Sequence, residues 1–155
     1  PARRRCPQKL YHPGGQKDQA LGYSRGGFGT KIHGAISGLG LPVKLHLTPG
    51  QASDVKQVAV LLAGLVPAVV LADRGYDSDA AVALIESTGA EAVLPSKSNR
   101  VEPRPHDEDL YTHRAVGENF WSRIKQYRRV ATRYDKTDEC FMGFVALAAI
   151  RVMLR

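Results

Sequence analysis

The 155-residue chain is poor in cysteine, in aromatic residues and in long apolar runs. Its two cysteines, Cys6 and Cys140, stand near opposite ends without the close spacing of zinc ligands, which favours free thiols in a cytoplasmic protein. The longest apolar stretch, residues 140–150, is too short to cross a bilayer, and no apolar segment follows the basic N-terminus as in a signal peptide. We therefore expect a cytoplasmic globular protein with no membrane partner.

Positive charge is what the chain has in excess, with 22 Lys and Arg against 15 Asp and Glu and a net charge of +7. This excess fits a polyanionic partner such as nucleic acid, although a merely well-solvated protein can be equally basic. The hydrophobic content of 43% is ordinary, and the length suits one domain with a real core.

The order of the predicted elements indicates an α/β fold, a mixed sheet flanked by helices. Residues 1–27 are basic and Gly-rich without apolar periodicity, so they are predicted to form a flexible arm or loop ahead of a domain over 28–155. Ser53 or Asp54 is placed to cap the first helix. The predicted elements are strands at 28–37 and 41–48, a helix to about 65, a strand at 68–72, a helix at 78–88, a strand at 91–94, a long helix around Glu118 and a last helix at 139–154.

The most informative segment is a helical pattern that begins at Tyr111. At about 100° per residue, one sector of this helix carries polar side chains and the opposite sector carries apolar ones. A face that offers a carboxylate among cations suits a metal ion and a phosphate backbone, although the same charges can be a solvated face with a Glu118–Arg114 surface pair. The polar sector holds Tyr111, Arg114, Glu118, Lys125, Arg129 and Thr132, and the apolar sector holds Val116, Phe120, Ile124, Tyr127 and Ala131.

A second acid, Asp73, stands at the end of the wholly apolar run 68–72. Such a run is typical of a central strand covered on both faces, and ligands of α/β sheets gather beyond the carboxyl ends of strands. Gly75 permits a tight turn that keeps bulk away from this position. The alternative is that Asp73 merely caps the next turn.

Two weaker patterns remain. His33 and His46 are expected on neighbouring strands, but no third ligand is spaced to complete a zinc site, so packing is the favoured interpretation. A basic run interleaved with Trp121 and Tyr127 is a candidate for contact with the DNA backbone or, alternatively, a solvated helix face. The basic residues are Arg123, Lys125, Arg128, Arg129 and Arg133.

Together these residues form two spaced signatures. Tyr-x2-Arg-x3-Glu-x6-Lys is met from Tyr111 to Lys125, and Asp-x-Gly-Tyr is met from Asp73 to Tyr76. The chain thereby resembles the DDE transposases of bacterial insertion sequences, in the group with the Tyr-Arg-Glu-Lys signature. Further matching segments lie at 18–33, 72–77 and 124–136, so that the resemblance covers about residues 14–155.

The resemblance implies a ribonuclease H-like fold in which three acidic residues hold two divalent metal ions, Mg²⁺ or Mn²⁺. Asp73 would be the second of these acids and Glu118 the third, and both would be catalytic. The implied partner is double-stranded DNA, at the element ends and at the target, in the bacterial cytoplasm and nucleoid; a homodimer of the intact enzyme is left open. The residues expected to contact DNA are Tyr111, Arg114, Lys125, Arg128 and Arg129.

One departure from the family pattern concerns the first acid, which is expected on a strand upstream of Asp18. Asp18 and Asp54 are the only acids before Asp73, and neither is expected to replace it. The sequence therefore predicts a truncated catalytic domain that lacks its first strand and first metal ligand and is inactive or weakly active alone. The alternatives are a non-catalytic DNA-binding remnant and a related ribonuclease H-like nuclease.

Overall fold

The computed structural model describes residues 19–154. Residues 1–18, with Cys6 and most of the predicted arm, lie outside this range; within the arm, Gly22–Ser24 is a strand rather than loop. The strands are β1 (Gly22–Ser24), β2 (Gly27–Ile36), β3 (Pro42–Pro49), β4 (Val69–Leu71) and β5 (Glu91–Val93). The helices are α1 (Val58–Leu62), α2 (Asp79–Ser87), α3 (Glu108–Thr112), α4 (Ala115–Ile124), α5 (Arg128–Ala131) and α6 (Asp138–Met153), with short 3₁₀ turns at Val55–Gln57 and Arg74–Tyr76.

The strands pair in both senses, which confirms the predicted α/β class. β1, β2 and β3 form an antiparallel sheet in that order, and β4 pairs with β5 in parallel. Within residues 19–154 the two pairings lie in separate sheets rather than in one mixed sheet. The ribonuclease H-like assignment stays a prediction.

The predicted hairpin between β2 and β3 is confirmed. Its turn is closed by the Ser37 amide, which donates to the Leu41 carbonyl at 2.8 Å, and Gly40 takes a positive φ of 79° that other residues rarely adopt. The register aligns His33 with His46 and so places both histidines on neighbouring strands, as the sequence predicted.

Two hydrophobic clusters support the molecule. The larger core joins the antiparallel sheet to α4, α5 and α6, and the smaller core joins α1 and α2 to the parallel sheet. Phe141 and Ile124 are fully buried in the larger core, and Ile85 is fully buried in the smaller. Each half of the molecule therefore has its own source of hydrophobic stabilisation.

Helix α2 follows the prediction closely. Ser78 caps it by accepting from the Ala81 amide at 3.1 Å, and Gly89 ends it with a φ of +84°. The prediction that the 68–72 run is a strand covered on both faces is wrong, because Val69 is 38% exposed on β4. No helix among residues 19–154 is both long and apolar enough to cross a membrane.

Candidate functional site

The predicted long helix is broken into three pieces, so a single continuous stripe is wrong. Helix α3 ends at Thr112, α4 runs from Ala115 to Ile124, and α5 begins at Arg128. Tyr111 consequently lies on α3 and Glu118 in the first turn of α4. Lys125 follows the end of α4 and Arg129 lies on α5, so these two cations sit on other elements than Glu118.

The break also changes the buried face. Phe120 and Ile124 are buried as predicted, but the next buried residue is Val130 and not Ala131. Valine has a larger apolar side chain than alanine, so burying Val130 contributes more hydrophobic free energy than burying Ala131 would. This difference favours a break in the helix over a continuous helical repeat.

Three of the signature residues remain together despite the break. The Arg114 guanidinium lies 5.3 Å from the centroid of the Tyr111 ring and forms an ion pair with Glu118 one turn further on. His106 meets the Tyr111 ring edge to face, with 5.5 Å between centroids. Glu118 remains 56% exposed, so its carboxylate is paired but open to solvent.

Asp73 follows β4 and is exposed. Its carboxylate oxygen Oδ1 accepts from the Gly75 amide at 2.8 Å, so Asp73 does cap the next turn, as the alternative interpretation stated. In residues 19–154 its second oxygen, Oδ2, has no hydrogen-bond partner. Capping and ligand binding are therefore compatible, because the backbone fixes one oxygen and leaves the other available.

A surface depression of about 700 Å³ brings distant signature residues together. Asp73 lines it from the end of β4, and Tyr111 and Arg114 line it from the α3–α4 segment. Glu118 adjoins it through its ion pair with Arg114. The lining residues are Asp73, Arg74, Gly75, Pro95, His106, Glu108, Tyr111, Thr112 and Arg114.

Sequence reasoning missed His106 and Glu108 as lining residues. Asp107 accepts from the Leu110 amide at 2.9 Å and so caps α3, with Glu108 in the first turn. An acidic run ahead of Tyr111 is a recognisable helix start, and it could have extended the predicted site by one turn.

The loop that leads from β5 to this depression is held by a cluster of contacts around Asp77, here called the Asp77 clasp. The buried Asp77 carboxylate accepts from the Lys97 amide at 2.8 Å and pairs with Arg100 at 3.1 Å and Arg104 at 3.3 Å. The same two arginines also pair with the exposed Asp79. This Asp77 clasp fixes the loop just before it enters α3, and hence helps to set where Tyr111 lies relative to Asp73.

Asp54 also approaches the Asp73 turn, and its prediction as a helix cap is wrong. Its side chain makes no capping hydrogen bond and accepts instead from Lys31 Nζ at 2.9 Å. A Cβ built on Gly75 would lie 2.9 Å from Asp73 Oδ1 and 3.4 Å from Asp54 Oδ2, so two carboxylates flank this glycine. Only a residue without a side chain leaves both carboxylates in place.

The pKa values of Tyr76 and His33, two residues close to Asp54, are shifted. Burial, followed by the negative charges of Asp54 and Asp73, raises the pKa of Tyr76 to about 12, so this phenol stays neutral at physiological pH. Burial lowers the pKa of His33, which Asp54 partly opposes, and His33 Nε2 shares a 2.7 Å hydrogen bond with Thr48 Oγ1. His33 is thus a packed residue of the sheet, as predicted.

Comparison with known proteins decides the family. The sequence model of the transposase DDE domain matches residues 6–153 of this chain. The chain belongs to that family. This membership confirms the resemblance to DDE transposases of insertion sequences and assigns the chain to DNA transposition, a process of phosphoryl transfer on DNA.

Two relatives carry the names of insertion-sequence transposases. A Brucella ovis protein named as a transposase for element IS6501 is 39% identical over 128 residues, which cover 81% of this chain and 98% of the relative. A Burkholderia cepacia protein named as a transposase for element IS402 is 28% identical over 131 residues, which cover 77% of this chain and 60% of the relative. No solved structure matches the chain.

The basic residues of the DDE domain are only partly free. Arg128 Nε donates to Tyr134 Oη at 3.1 Å, and Arg129 lies 4.2 Å from the centroid of Phe144. Arg133 turns inward, where burial lowers its pKa and its guanidinium donates to the Gln19 carbonyl at 2.8 Å. Lys125 is exposed, and its ammonium group has no polar partner within residues 19–154.

The candidate metal ligands of the DDE domain are carboxylate oxygens, which suit a divalent cation, but they are few. Asp73 and Glu118 present exposed carboxylates, the oxygen donors that Mg²⁺ prefers. Among the described residues, no three His, Cys, Asp or Glu side chains are grouped closely enough to hold a metal ion.

Proposed function

We propose that this DDE domain acts in metal-dependent cleavage and joining of double-stranded DNA at insertion-sequence ends. The observation that carries the proposal is the shared depression, which Asp73 lines from β4 and Arg114 lines from the start of α4. Arg114 also pairs with Glu118, so the second candidate acid lies next to a residue that lines the same depression as Asp73. An acid and a cation that line one depression, with a second acid paired to that cation, suit the handling of a phosphodiester.

In this proposal Asp73 and Glu118 hold Mg²⁺ or Mn²⁺. The bound ion supplies Lewis-acid activation of the phosphodiester and of the attacking oxygen. Arg114 keeps Glu118 oriented, and the Tyr111 ring supports the Arg114 guanidinium. Since the resemblance implies three acids where the described residues offer two, we expect weak metal binding by this chain alone.

Contact with DNA is assigned to Tyr111 and to the cationic residues from Arg114 to Arg129. Lys125 is exposed and free to meet a phosphate, and Tyr111 and Arg114 lie at the depression itself. Arg128 and Arg129 are exposed residues of α5 whose guanidinium groups lie beside aromatic rings, and Arg129 also pairs with Asp135 at 3.5 Å. We further propose that residues 28–155 form the ribonuclease H-like catalytic domain and act on DNA in the bacterial cytoplasm and nucleoid.

A second candidate function is DNA binding without catalysis. The Glu118–Arg114 ion pair favours it, because a neutralised carboxylate is a poorer metal ligand than a free one. The two functions share the same cations and differ only in whether Asp73 and Glu118 bind a metal ion.

Titration of the full chain with MnCl₂, followed by calorimetry, tests the metal site directly. We expect Asp73→Asn and Glu118→Gln each to weaken Mn²⁺ binding about tenfold, which corresponds to roughly 1.4 kcal/mol per lost carboxylate. Glu139→Gln, an exposed acid on α6, is the matched control and should bind as the original chain does. Unchanged Mn²⁺ affinity in Asp73→Asn would refute the assignment.

Nicking of a supercoiled plasmid separates the two candidate functions. Metal-dependent nicking that disappears in Asp73→Asn supports the catalytic function. Plasmid binding without nicking, at any Mn²⁺ concentration, supports the non-catalytic one. Nicking that persists in both Asp73→Asn and Glu118→Gln would contradict the proposed roles of these acids.

A further inference from the structure

Two aromatic rings stand exposed on the hairpin formed by β1 and the start of β2, residues 22–29. Tyr23 pairs with Phe28 across the strands, with 5.6 Å between the ring centroids. Tyr23 is 71% exposed and Phe28 is 45% exposed. Because aromatic rings stabilise a fold mainly by being buried, these two contribute little to the isolated chain and remain available to a ligand.

The backbone around the turn of this hairpin is also open. A Cβ added to Gly27 or Gly29 would meet no atom within 4 Å, and one added to Gly26 would come no nearer than 3.7 Å to Ser24 Oγ. Gly27 has a φ of +106°, which other residues rarely adopt. A ligand can therefore approach the main chain of the hairpin closely.

The charge of this region indicates what kind of ligand that is. No acidic residue occurs between Asp18 and Asp54, whereas Arg25 occupies the turn of the hairpin. Arg25 is exposed, and its guanidinium has no polar partner in the described part of the chain. Exposed aromatic rings beside a cation, in a stretch of sequence without acidic residues, complement a nucleic acid, whose phosphates are anionic and whose bases stack on aromatic rings.

The hairpin is attached to the loop that reaches the Asp73 turn. The Gly50 amide donates to the Gly29 carbonyl at 3.1 Å, and a Cβ on Gly22 would overlap the Gln51 side chain. The same loop ends at Asp54, whose carboxylate lies beside Gly75. The hairpin and the candidate acid Asp73 are therefore joined through one short loop, residues 50–54.

We propose that residues 22–29 form a second DNA-contacting element of this DDE domain, separate from the α3–α5 cations. Tyr23 and Phe28 stack on bases that are unpaired at the end of a DNA strand, and Arg25 contacts an adjacent phosphate. Base faces are hidden inside a paired duplex, so the aromatic pair discriminates in favour of strand ends and frayed sequence. This inference rests on the proposed function, because it takes DNA as the substrate.

Binding of the full chain to two fluorescent DNA molecules, measured by anisotropy, tests the inference. One molecule is a blunt duplex and the other is the same duplex with an unpaired oligothymidine tail. We expect Tyr23→Ala/Phe28→Ala to weaken binding to the tailed duplex roughly tenfold per stacked base and to change binding to the blunt duplex less than about twofold. Arg25→Ala should weaken both and reduce the salt slope by about one.

Leu39→Ala is the matched control, because Leu39 is 86% exposed on the turn of the other hairpin and is predicted to have no role. Circular dichroism establishes that each variant is folded. Unchanged binding by the double aromatic variant would overturn the inference, as would equal losses on tailed and blunt DNA. So would a loss of self-association in sedimentation with unchanged DNA binding, which would assign the rings to a second copy of the chain.

The outcome is distinguishable from failure of the proposed function. If the original chain binds both DNA molecules and the double aromatic variant binds them with the same affinities, the hairpin inference fails and the proposed function stands. If the original chain binds neither DNA, both fail. Mn²⁺ titration of the Asp73 and Glu118 variants is independent of the hairpin in either case.

Discussion

Asp73 and Glu118 are positioned by different means and from different cores. Asp73 follows β4 beside the smaller core, and a main-chain amide fixes its carboxylate. Glu118 stands on α4 above the larger core, and the Arg114 side chain holds its carboxylate. A guanidinium on an exposed surface is displaced more easily than a turn is rebuilt, because surface ion pairs contribute little to stability. The Glu118 side is therefore where a bound cation or DNA changes the site, and the Asp73 side is the fixed reference.

The largest expected effect comes from weakening the core on one side only. Phe141→Ala should destabilise the larger core by about 3–5 kcal/mol, and Ile85→Ala should destabilise the smaller by about 2–5 kcal/mol, through lost burial and residual cavities. Urea unfolding followed by circular dichroism and by fluorescence of Trp121, the single tryptophan, measures both. Trp121 packs against the larger core and reports on it.

These two variants also decide how independent the two cores are. If Ile85→Ala shifts both transitions equally, the cores unfold as one unit. If it shifts circular dichroism alone, the two sides of the site are separate cooperative units. Leu147→Ala, a 62% exposed position on the same helix as Phe141, should leave both transitions in place. A loss below about 1 kcal/mol in Phe141→Ala would contradict the description of the larger core.

A smaller loss of stability is expected from the Asp77 clasp, which holds the loop between β5 and α3. Asp77→Ala leaves Arg100 and Arg104 without their buried partner and should cost about 3 kcal/mol. Asp79→Ala removes an exposed partner of the same arginines and should cost less than Asp77→Ala does, because solvent screens an exposed ion pair. Chemical unfolding measures both values. Equal losses in the two variants would show that the Asp77 clasp does not depend on burial.

The smallest expected effect is a pH dependence of stability, and it comes from His33 on the antiparallel sheet. Burial lowers the pKa of His33, so the unfolded chain takes up this proton near the ordinary value of 6.5 while the folded chain resists it. Stability from this group is complete above that value and is lost as the pH falls towards the lowered pKa of folded His33. His33→Gln should cost roughly 1 kcal/mol at pH 7, from the hydrogen bond to Thr48, and should flatten the decline in stability at acidic pH.

Unfolding midpoints at pH 7, 6 and 5 measure this dependence. His113→Gln, at an exposed position, is the control and should keep the pH slope of the original chain. A His33→Gln variant whose stability declines with acid as steeply as that of the original chain would show that His33 does not couple folding to pH.

The sequence predicted those parts of the fold that depend on local signals. The β2–β3 hairpin, α2 with its Ser78 cap and Gly89 end, and the start of α6 all have turn or capping residues at their boundaries. The break between α3 and α4 has no glycine or proline to mark it, so periodicity alone extended the helix through it. The later break, between α4 and α5, accompanies a tertiary effect, since the larger core buries Val130 in preference to Ala131.

The sequence predicted which residues form the candidate site, but it did not predict the contacts between them. Spacing selected Asp73, Tyr111, Arg114 and Glu118, and the depression unites three of them. Asp54 was assigned to a cap because serine and aspartate ahead of a helix usually cap it. Its partner, Lys31, is distant in the chain, and no local pattern reveals a pairing of that range.

That pairing has an electrical consequence for the site. Lys31 projects from the antiparallel sheet and offsets the negative potential of Asp54, a near neighbour of Asp73 across Gly75. The two sheets share no ladder within residues 19–154, yet a cation on the antiparallel sheet pairs with a neighbour of the acid that follows β4. Removing the Lys31 ammonium would leave the two carboxylates beside Gly75 without that counter-charge, so a residue of the antiparallel sheet bears on the electrostatics of the turn that follows β4.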